Sequence, residues 1–281
     1  MTEDIRNEIT RFVLEAPAGR FPDTGLPYFD EPLVGFAAAD DPLFADYKTV
    51  IGPFHQTPEE VLASVAGPGV RAATVISWVL PINLTTRESN RGQRLHPSRE
   101  WAWTRSGGER CNTALRRHLV DFLEARGHRT VAPQLAPGWR TIENPAVGIA
   151  STWSERHAAH AAGLGTFSLN GALITLRGMA HRCGSVVTDL ELPPTPRPYA
   201  SRGEWCLYLA DGSCGVCVER CPVGALRHDG RDKFLCRGHV YGSVPAAVGE
   251  LYGVTDTGCG LCQTRVPCEG RVPAGLRPGS T

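Results

Sequence analysis

The sequence lacks an excess of charge of either sign, because 29 lysines and arginines are balanced by 29 aspartates and glutamates. The overall charge therefore gives no reason to expect nucleic acid or an anionic membrane as a partner. No apolar run approaches the roughly 18 residues of a membrane span. The N-terminal stretch also lacks the basic and apolar parts of a signal peptide. These absences predict a soluble, cytoplasmic protein that binds no membrane and no nucleic acid.

Cysteine is nearly absent from the first two-thirds of the chain. Only Cys111 and Cys183 precede a run of eight cysteines between Cys206 and Cys268. A disulfide framework would not normally be confined to one end, and clustered cysteines in a cytosolic chain more often bind metal or perform redox chemistry. Cys111 falls on a predicted helix and Cys183 in a predicted strand region, so we expect both to be buried structural thiols.

Residues 1–200 have the pattern of an α/β domain. The apolar, β-branched run at 71–82 predicts a buried strand. Residues 109–127 predict an amphipathic helix, followed by a strand in HRTVAPQ. Further on we expect a short helix capped by Ser154 and two strands, at 172–176 and 185–192. The apolar face of the predicted long helix consists of Leu115, Leu119, Phe122 and Leu123.

A proline-rich stretch at 192–203 marks a predicted domain boundary. We therefore divide the chain into an α/β cofactor and substrate domain at 1–200 and a cysteine-rich domain at 201–281. Before the boundary, Trp101 and Trp103 lie in a predicted polar loop. There they could stack on a ligand or pack against the core.

The cysteine-rich region contains two blocks of four cysteines, enough to ligate two cubane clusters. The sequence CGVCVERCP lacks the first cysteine of a ferredoxin run, since Asp211 stands in its place, and Cys206 is expected to replace it. In two-cluster ferredoxins the fourth cysteine of each run ligates the other cluster. The predicted ligands are Cys206, Cys214, Cys217 and Cys268 for one cluster, and Cys221, Cys236, Cys259 and Cys262 for the other. Zinc is the alternative that CxxC pairs leave open.

Several segments resemble epoxyqueuosine reductase and its relatives, which include the reductive dehalogenases. They occur in the family's order and read ERHAAHAAGLGTFSLNGALIT, GSVVTDLEL, CGVCVERCPVGA, CRGHVYG and CGLCQTRVPCEGRVP. The resemblance implies two [4Fe-4S] clusters in a ferredoxin-like module. It also implies base-off cobalamin in an α/β domain with a nitroreductase-like fold. An external low-potential donor, a ferredoxin or flavodoxin, would supply electrons through the clusters to the cobalt.

Candidate site residues cluster in the glycine-rich segment and the strand after it. Histidines and carboxylates can move protons, and arginines can hold anions. Glycines allow the backbone to approach a cofactor closely. Ordinary structural roles remain the alternative for each of these residues, and for Arg156 and His160 beside them. The predicted catalytic residues are His157, Glu155 and His181, and the predicted cofactor-binding residues are Gly163, Gly165, Asn170 and Arg182.

The chain also departs from the family pattern. Ile149 stands where the epoxyqueuosine reductases carry an aspartate thought to donate a proton, and Leu169 stands where they carry a lysine. Five residues separate Cys262 from Cys268 where the family has three, and the C-terminal helical repeats suited to tRNA are missing. The resemblance therefore implies a divergent oxidoreductase acting on a small molecule. The alternatives are a ferredoxin-type electron carrier and a true epoxyqueuosine reductase acting on tRNA.

Overall fold

The structure, a computed structural model, describes residues 1–276 and has an antiparallel sheet at its centre. The sheet consists of Leu33–Ala38 (β1), Thr74–Pro81 (β2), Thr130–Val131 (β3) and His181–Thr188 (β8), in the order β1-β2-β8-β3. Three two-stranded ribbons pair Thr141–Asn144 (β4) with Gly148–Ser151 (β5), Gly165–Phe167 (β6) with Leu173–Thr175 (β7), and Leu226–Arg227 (β9) with Gly230–Arg231 (β10).

Helices of very different lengths surround the sheet and form part of the cysteine-rich region. The α-helices are Thr2–Glu15 (α1), Pro42–Val50 (α2), Pro58–Ala66 (α3), Leu84–Arg91 (α4), Arg99–Glu124 (α5), Glu155–Ala161 (α6), Leu207–Asp211 (α7), Val216–Glu219 (α8), Lys233–Gly238 (α9) and Glu250–Tyr252 (α10). Short 3₁₀ turns occur at Pro17–Gly19, Pro133–Leu135 and Leu261–Gln263, and π-helical turns at His239–Ser243 and Pro245–Gly249. In residues 1–276 no helix combines the length and the apolarity needed to span a bilayer.

Strand β2 is buried along its whole length, as its β-branched run predicts. Side chains alternate between the two faces of a strand. Ile76, Trp78 and Leu80 therefore join one core with α1 and α5. Val75 and Val79 join a second core with α2, α3 and α6 on the opposite face. Helices thus cover both faces of the sheet, and the mixed α/β character predicted for this part of the chain is confirmed.

Helix α5 begins ten residues before the predicted helix. Ser98 caps it by accepting a hydrogen bond from the backbone N–H of Trp101 at 3.1 Å. Trp101 and Trp103 therefore lie on a helix, and the predicted polar loop is wrong. Gly107 within this helix serves close packing, since a Cβ there would lie 2.3 Å from the hydroxyl oxygen of Tyr28.

Strand β8 starts and ends four residues earlier than predicted. Its partner β2 pairs with it from Pro81 opposite His181 to Thr74 opposite Thr188, so β8 leaves the sheet where its partner ends. His181 is consequently the first residue of a strand and does not lie in a solvated turn. The strand expected at 172–176 is present as β7.

The proline-rich stretch runs along the sheet region instead of away from it. Thr195 exchanges hydrogen bonds with the backbone of Phe36 in β1, through its own N–H and its hydroxyl. A third core then joins apolar residues on both sides of the predicted boundary: Ala172, Ile174, Met179, Trp205, Cys206, Val266 and Val272. The two regions therefore share buried apolar surface.

Candidate functional site

Four thiols that are far apart in the sequence lie close enough to influence one another's ionisation. Burial raises the pKa of Cys268 to about 12, and the nearby thiols of Cys206, Cys217 and Cys214 raise it further. Burial likewise raises the pKa of Cys217 to about 12, with added contributions from Cys262, Cys206 and Cys214. We call these four cysteines, 206, 214, 217 and 268, the first thiol group.

A second thiol group adjoins the first. Burial raises the pKa of Cys259 to about 12, and Cys262, Cys236 and Cys221 contribute to the same shift. The pKa of Cys262 is raised to about 11 by burial, although the positive charge of Arg231 opposes the shift. All four cysteines line one cavity of about 140 Å³. The grouping coincides with the predicted second ligand set.

The donor set can be tested against the two kinds of metal site that cysteines form. In residues 1–276 no three His, Cys, Asp or Glu side chains come close enough to share one metal ion. Zinc needs such a compact tetrahedral group, with each sulfur about 2.3 Å from the metal. A cubane binds one thiolate at each of four irons, so its thiols stand farther apart. Eight thiols in two groups of four are the number and grouping that two cubane clusters would need.

Two arginines that the sequence analysis did not single out support the second thiol group. Arg231 donates to the sulfur of Cys236 at 3.0 Å and to the backbone carbonyl of Asn170 at 3.1 Å. Arg220 donates to the carbonyls of Leu261 and Thr264 in the loop that carries Cys262. Positive charge beside thiolates favours their ionised form. The sequence could have indicated both arginines, because each lies within five residues of a cysteine.

Asn170, predicted to bind a cofactor, contacts the cysteine loop. Its side-chain amide donates to the carbonyl of Cys262 at 2.8 Å, and its amide oxygen accepts from the N–H of Ala172 at 2.9 Å. A buried amide with these partners joins the glycine-rich segment to the second thiol group. The structure thereby brings together two segments that are more than 90 residues apart in the sequence.

Trp101 packs against the same loop. Gly260 has a φ of +67°, and a Cβ placed there would lie 2.0 Å from the indole of Trp101. Trp103 donates from its indole N–H to the carbonyl of Tyr252 at 2.6 Å. Both tryptophans therefore pack against the protein, which is one of the two roles left open for them.

A cleft of about 550 Å³ opens beside the second thiol group. Cys236 lines both the cleft and the cysteine cavity. Ile149, at the position where the family resemblance places an aspartate, also lines the cleft and has no proton to donate. Its carbonyl accepts from the ammonium of Lys233 at 3.0 Å. A second cavity of about 410 Å³ adjoins the first at Arg156 and contains Leu169.

Arg156 combines solvent exposure with a lowered pKa. Desolvation by the surrounding protein is the main cause of this shift, and the nearby charge of Arg231 adds to it. The pKa of Lys233 is lowered for similar reasons, first by desolvation and then by Arg156 and Arg231. Both cations line the 550 Å³ cleft and the adjoining 410 Å³ cavity.

Glu155 belongs to a buried ion network. Burial raises its pKa, although Arg116 and a hydrogen bond from Ser185 oppose the shift. Arg116 is almost completely buried and pairs with both Glu155 and Glu109, at 3.3 and 3.0 Å. Arg182, a predicted cofactor ligand, donates its Nε to Glu109 at 2.9 Å. The network therefore links one predicted catalytic residue to one predicted binding residue through side chains that the sequence analysis missed.

His157 and His181 are held in the neutral form. Burial lowers the pKa of His181 to about 4, and its Nε2 lies 2.8 Å from the carbonyl of Leu173. Burial, followed by Arg156, lowers the pKa of His157 well below its usual range. Its Nδ1 lies 2.8 Å from the hydroxyl of Ser154, which occupies the predicted cap position of α6 but caps no backbone N–H. Near pH 7 neither histidine is an imidazolium that could act as an acid.

The two predicted glycines approach the chain itself. A Cβ at Gly163, where φ is +78°, would lie 2.9 Å from the carbonyl oxygen of Pro196. A Cβ at Gly165 would lie 2.2 Å from the carbonyl oxygen of Ile174 on the paired strand. Close packing within the fold is thus sufficient to explain both glycines, and their predicted contact with a cofactor stays a prediction.

Of the two remaining cysteines, Cys111 is a buried thiol, as expected, and Cys183 is half-buried. Cys111 lies in the core between α5 and the sheet, and burial raises its pKa to about 11. Cys183 lies on β8 with its sulfur 3.4 Å from Nδ1 of His181, and burial raises its pKa to about 12. Neither belongs to the two thiol groups.

Comparison with known proteins identifies solved structures with a similar fold. No protein-family model and no curated protein matches the chain. Solved structures do match it. Epoxyqueuosine reductase from Bacillus subtilis is 19% identical, with a TM-score of 0.53 over 99% of this chain and 68% of that one. An epoxyqueuosine reductase crystallised with an epoxyqueuosine-modified tRNA stem loop is also 19% identical, with a TM-score of 0.54 over 99% and 68%.

A second kind of solved structure matches the chain at lower identity. A reductive dehalogenase, whose structure suggests a mechanism for B12-dependent dehalogenation, is 13% identical with a TM-score of 0.51. The match covers 86% of this chain and 30% of that one. At such identities the likeness shows the fold alone. The predicted resemblance to the epoxyqueuosine reductases and reductive dehalogenases is confirmed at that level.

Proposed function

We propose that the protein is a reductase that passes electrons through two [4Fe-4S] clusters to cobalamin and a small organic substrate. This proposal rests on the location of Cys236 between two cavities. It belongs to a group of four thiols around one cavity, and it also lines the 550 Å³ cleft. A cluster held there would border the space in which a substrate could bind.

The order of the thiol groups suggests a path for electrons. An external low-potential donor, a ferredoxin or flavodoxin, would reduce the cluster held by the first thiol group. The two groups meet at Cys217 and Cys262, whose charges influence each other. The second group, which borders the cleft, would then be the last station before the substrate. We assign these roles to domains at 1–200 and 201–281, of which residues 277–281 lie outside the described part.

The two cavities beside the second thiol group offer adjoining spaces for a cofactor and a small substrate. They have volumes of about 550 and 410 Å³ and meet at Arg156, and ligand sites of this kind are typically 300–1,000 Å³. Phe167 and Arg202 of the second cavity would contact cobalamin, whose cobalt would supply the redox chemistry at the substrate. Gly163, Gly165, Asn170 and Arg182 keep their predicted cofactor-binding role, although the linings of these two cavities do not include them. Glu155, His157 and His181 are the proposed proton-handling groups, and the two histidines, neutral near pH 7, would accept protons.

The cleft favours a reductase over a simple electron carrier, because a carrier needs no cavity of this size beside its cluster. The tRNA reaction is less well supported, although a similar structure was crystallised with a tRNA stem loop. Cleaving a carbon–oxygen bond needs an acid within hydrogen-bond reach of the leaving oxygen, and losing it costs about a hundred- to ten-thousand-fold. Ile149 provides none.

The clusters are tested by iron and sulfide analysis after anaerobic reconstitution. We expect about eight of each per chain. Cys221→Ser and Cys268→Ser should each lose about half of the iron, whereas Cys111→Ser, outside both groups, should keep all of it. Stoichiometric zinc without the visible absorption of iron–sulfur clusters would refute the assignment.

Cobalamin binding is tested by mixing the cluster-loaded protein with hydroxocobalamin. We expect co-elution and a base-off spectral shift. Failure to retain any corrin under reducing, anaerobic conditions would favour the carrier or a reductase that uses the same cleft without a corrin.

The tRNA alternative is tested in a bacterium that lacks its own epoxyqueuosine reductase. We expect that expression of this chain restores no queuosine in digested tRNA. Queuosine at the wild-type level would show that the chain carries out the family's reaction in spite of Ile149.

A further inference from the structure

We infer that the cleft binds a small organic anion, a carboxylate or a phosphate monoester, through Arg156, Arg231 and Lys233. This inference rests on the proposed function in one respect, because it takes the anion to be part of the reductase's substrate. The binding site itself is argued from the charges and contacts of the cleft.

The three cations are held by neutral partners. Arg156 donates to the carbonyl of Gly171, and Arg231 donates to the adjacent carbonyl of Asn170. Two successive carbonyls of one turn thus anchor two guanidinium groups side by side. Lys233 is held by the carbonyl of Ile149, and its aliphatic stem packs against Gly148. Among residues 1–276, none of the three cations has a carboxylate partner.

Like charges in one cleft are unfavourable unless an anion joins them. The surrounding protein strengthens this effect, because it excludes much of the water that would screen the charges. Thiolates of the second group partly compensate Arg231, which contacts Cys236, and Arg156, which lines the same cysteine cavity. Arg237 lines the same cleft but is already paired with Glu143 at 3.0 Å. Lys233 lines the cleft without an opposite charge among residues 1–276, so the cleft keeps an excess of positive charge.

The size of the cleft selects a small ligand. A volume of about 550 Å³ lies within the range of pockets for small molecules. Guanidinium groups bind carboxylates and phosphates through paired N–H donors, and Arg156 spends only one of its donors on the protein. The walls also carry Val240 and Tyr241, which offer apolar and aromatic surface to the organic part of a ligand.

The test is calorimetric titration of the cluster-loaded protein with two probes, inorganic phosphate and benzoate. We expect one site for at least one probe. Arg156→Gln and Lys233→Met should each weaken it by about tenfold or more, the usual effect of losing one charged hydrogen bond. Lys48→Met is the matched control, because it also removes one positive charge but lies in an exposed pair with Glu60. Its affinity should stay within about twofold of the wild type.

The visible cluster absorption of each variant, recorded before titration, shows whether the variant is intact. No binding of either probe, or equal weakening in all three variants, would overturn the inference. The inference would also be overturned if Arg156→Gln and Lys233→Met no longer bound hydroxocobalamin but still bound cobinamide, which lacks the nucleotide phosphate. The two cations would then hold the phosphate of the cofactor. Salt-dependent binding of a tRNA stem loop through the same two cations would assign the site to nucleic acid instead.

These results separate the inference from the proposed function. An anion site in a protein that retains no corrin would support the inference and refute the proposed cobalamin-dependent reductase. Binding of corrin and clusters without an anion site would refute the inference and support the proposed reductase.

Discussion

The sheet region and the cysteine-rich region are stabilised in different ways. Around the sheet, large side chains such as Trp78, Trp153 and Phe36 are fully buried in two cores. In the cysteine-rich region α7 and α8 have five and four residues, and α9 continues through the two π-helical turns into α10. Large apolar side chains of that continuous helical segment, such as Tyr241 and Leu251, are 57% and 78% exposed. Burial of apolar surface, by residues such as Trp205 and Leu261, therefore contributes less to the second region than to the first.

This difference suggests that metal ligation stabilises the cysteine-rich region, whereas burial of apolar side chains stabilises the sheet region. Small or loop-rich units that lack a sufficient core commonly depend on metals or cross-links. The shared third core and Trp101 then connect a self-sufficient region to a dependent one. Four experiments can break or sharpen this contrast.

Removal of the clusters should have the largest effect. We expect amides at 204–268 to lose most of their protection from hydrogen exchange in the apo protein, with local opening free energies close to zero. Amides of β2 and β8 should keep theirs, because their core does not depend on iron. Hydrogen exchange with mass spectrometry, on cluster-loaded and apo protein, measures both regions at once. Equal loss in the two regions would mean that the sheet also depends on the clusters.

Breaking the buried ion network should destabilise the sheet region next most strongly. Arg116→Met leaves Glu155 without its buried cation and Glu109 with Arg182 alone, which typically costs about 3–5 kcal/mol. Arg117→Met, at the exposed neighbouring position of α5, should change the free energy of unfolding by less than about 0.5 kcal/mol. Urea unfolding followed by circular dichroism gives both values. Similar values for the two variants would show that the network contributes little.

The junction between the regions can be probed with two glycines of similar backbone conformation. Gly253→Ala at φ +69° meets no neighbouring atom, so it should cost only the left-handed strain of about 1–2 kcal/mol. Gly260→Ala adds a clash with Trp101, which should raise the cost by about 1–3 kcal/mol. Thermal unfolding and retained iron measure the difference. Iron loss in both variants alike would show that the contact with Trp101 does not matter.

The smallest expected effect is a loss of stability at low pH, and it comes from His55 in the sheet region. Burial, with a smaller contribution from Lys48, lowers the pKa of His55 from 6.5 to about 4. The unfolded chain therefore takes up a proton below about pH 6.5 while the folded protein does not. Stability from this group is complete above that pH and decreases as the pH falls towards 4. By pH 5.5 the loss should be about 1.4 kcal/mol.

His55→Gln should remove this contribution from the pH dependence. Urea unfolding at pH 6.5 and pH 5.5, for both proteins, measures the difference between their slopes. Between pH 7 and 8, where His55 stays neutral in both states, the two slopes should agree. Identical slopes below pH 6.5 would mean that His55 is protonated in the folded protein.

The sequence alone was enough for features that depend on local pattern. The β-branched run of β2 and the apolar face of α5 appeared as expected, because strand and helix periodicities are local properties. The eight cysteines lie in two neighbouring groups, and their assignment as cluster ligands stays a prediction. Boundaries were less accurate, since β8 ends where β2 ends and α5 extends back to Ser98. Both limits depend on partners far away in the sequence.

Only the tertiary structure decided the surroundings of the site. Nothing near Arg116 in the sequence reveals that it joins Glu109 to Glu155, because the network connects α5 to the first residue of α6. Arg231 and Arg156 meet only because consecutive carbonyls of one turn anchor them. The neutral state of His181 likewise follows from burial, a property that is set by the packing of the whole chain and not by residue type.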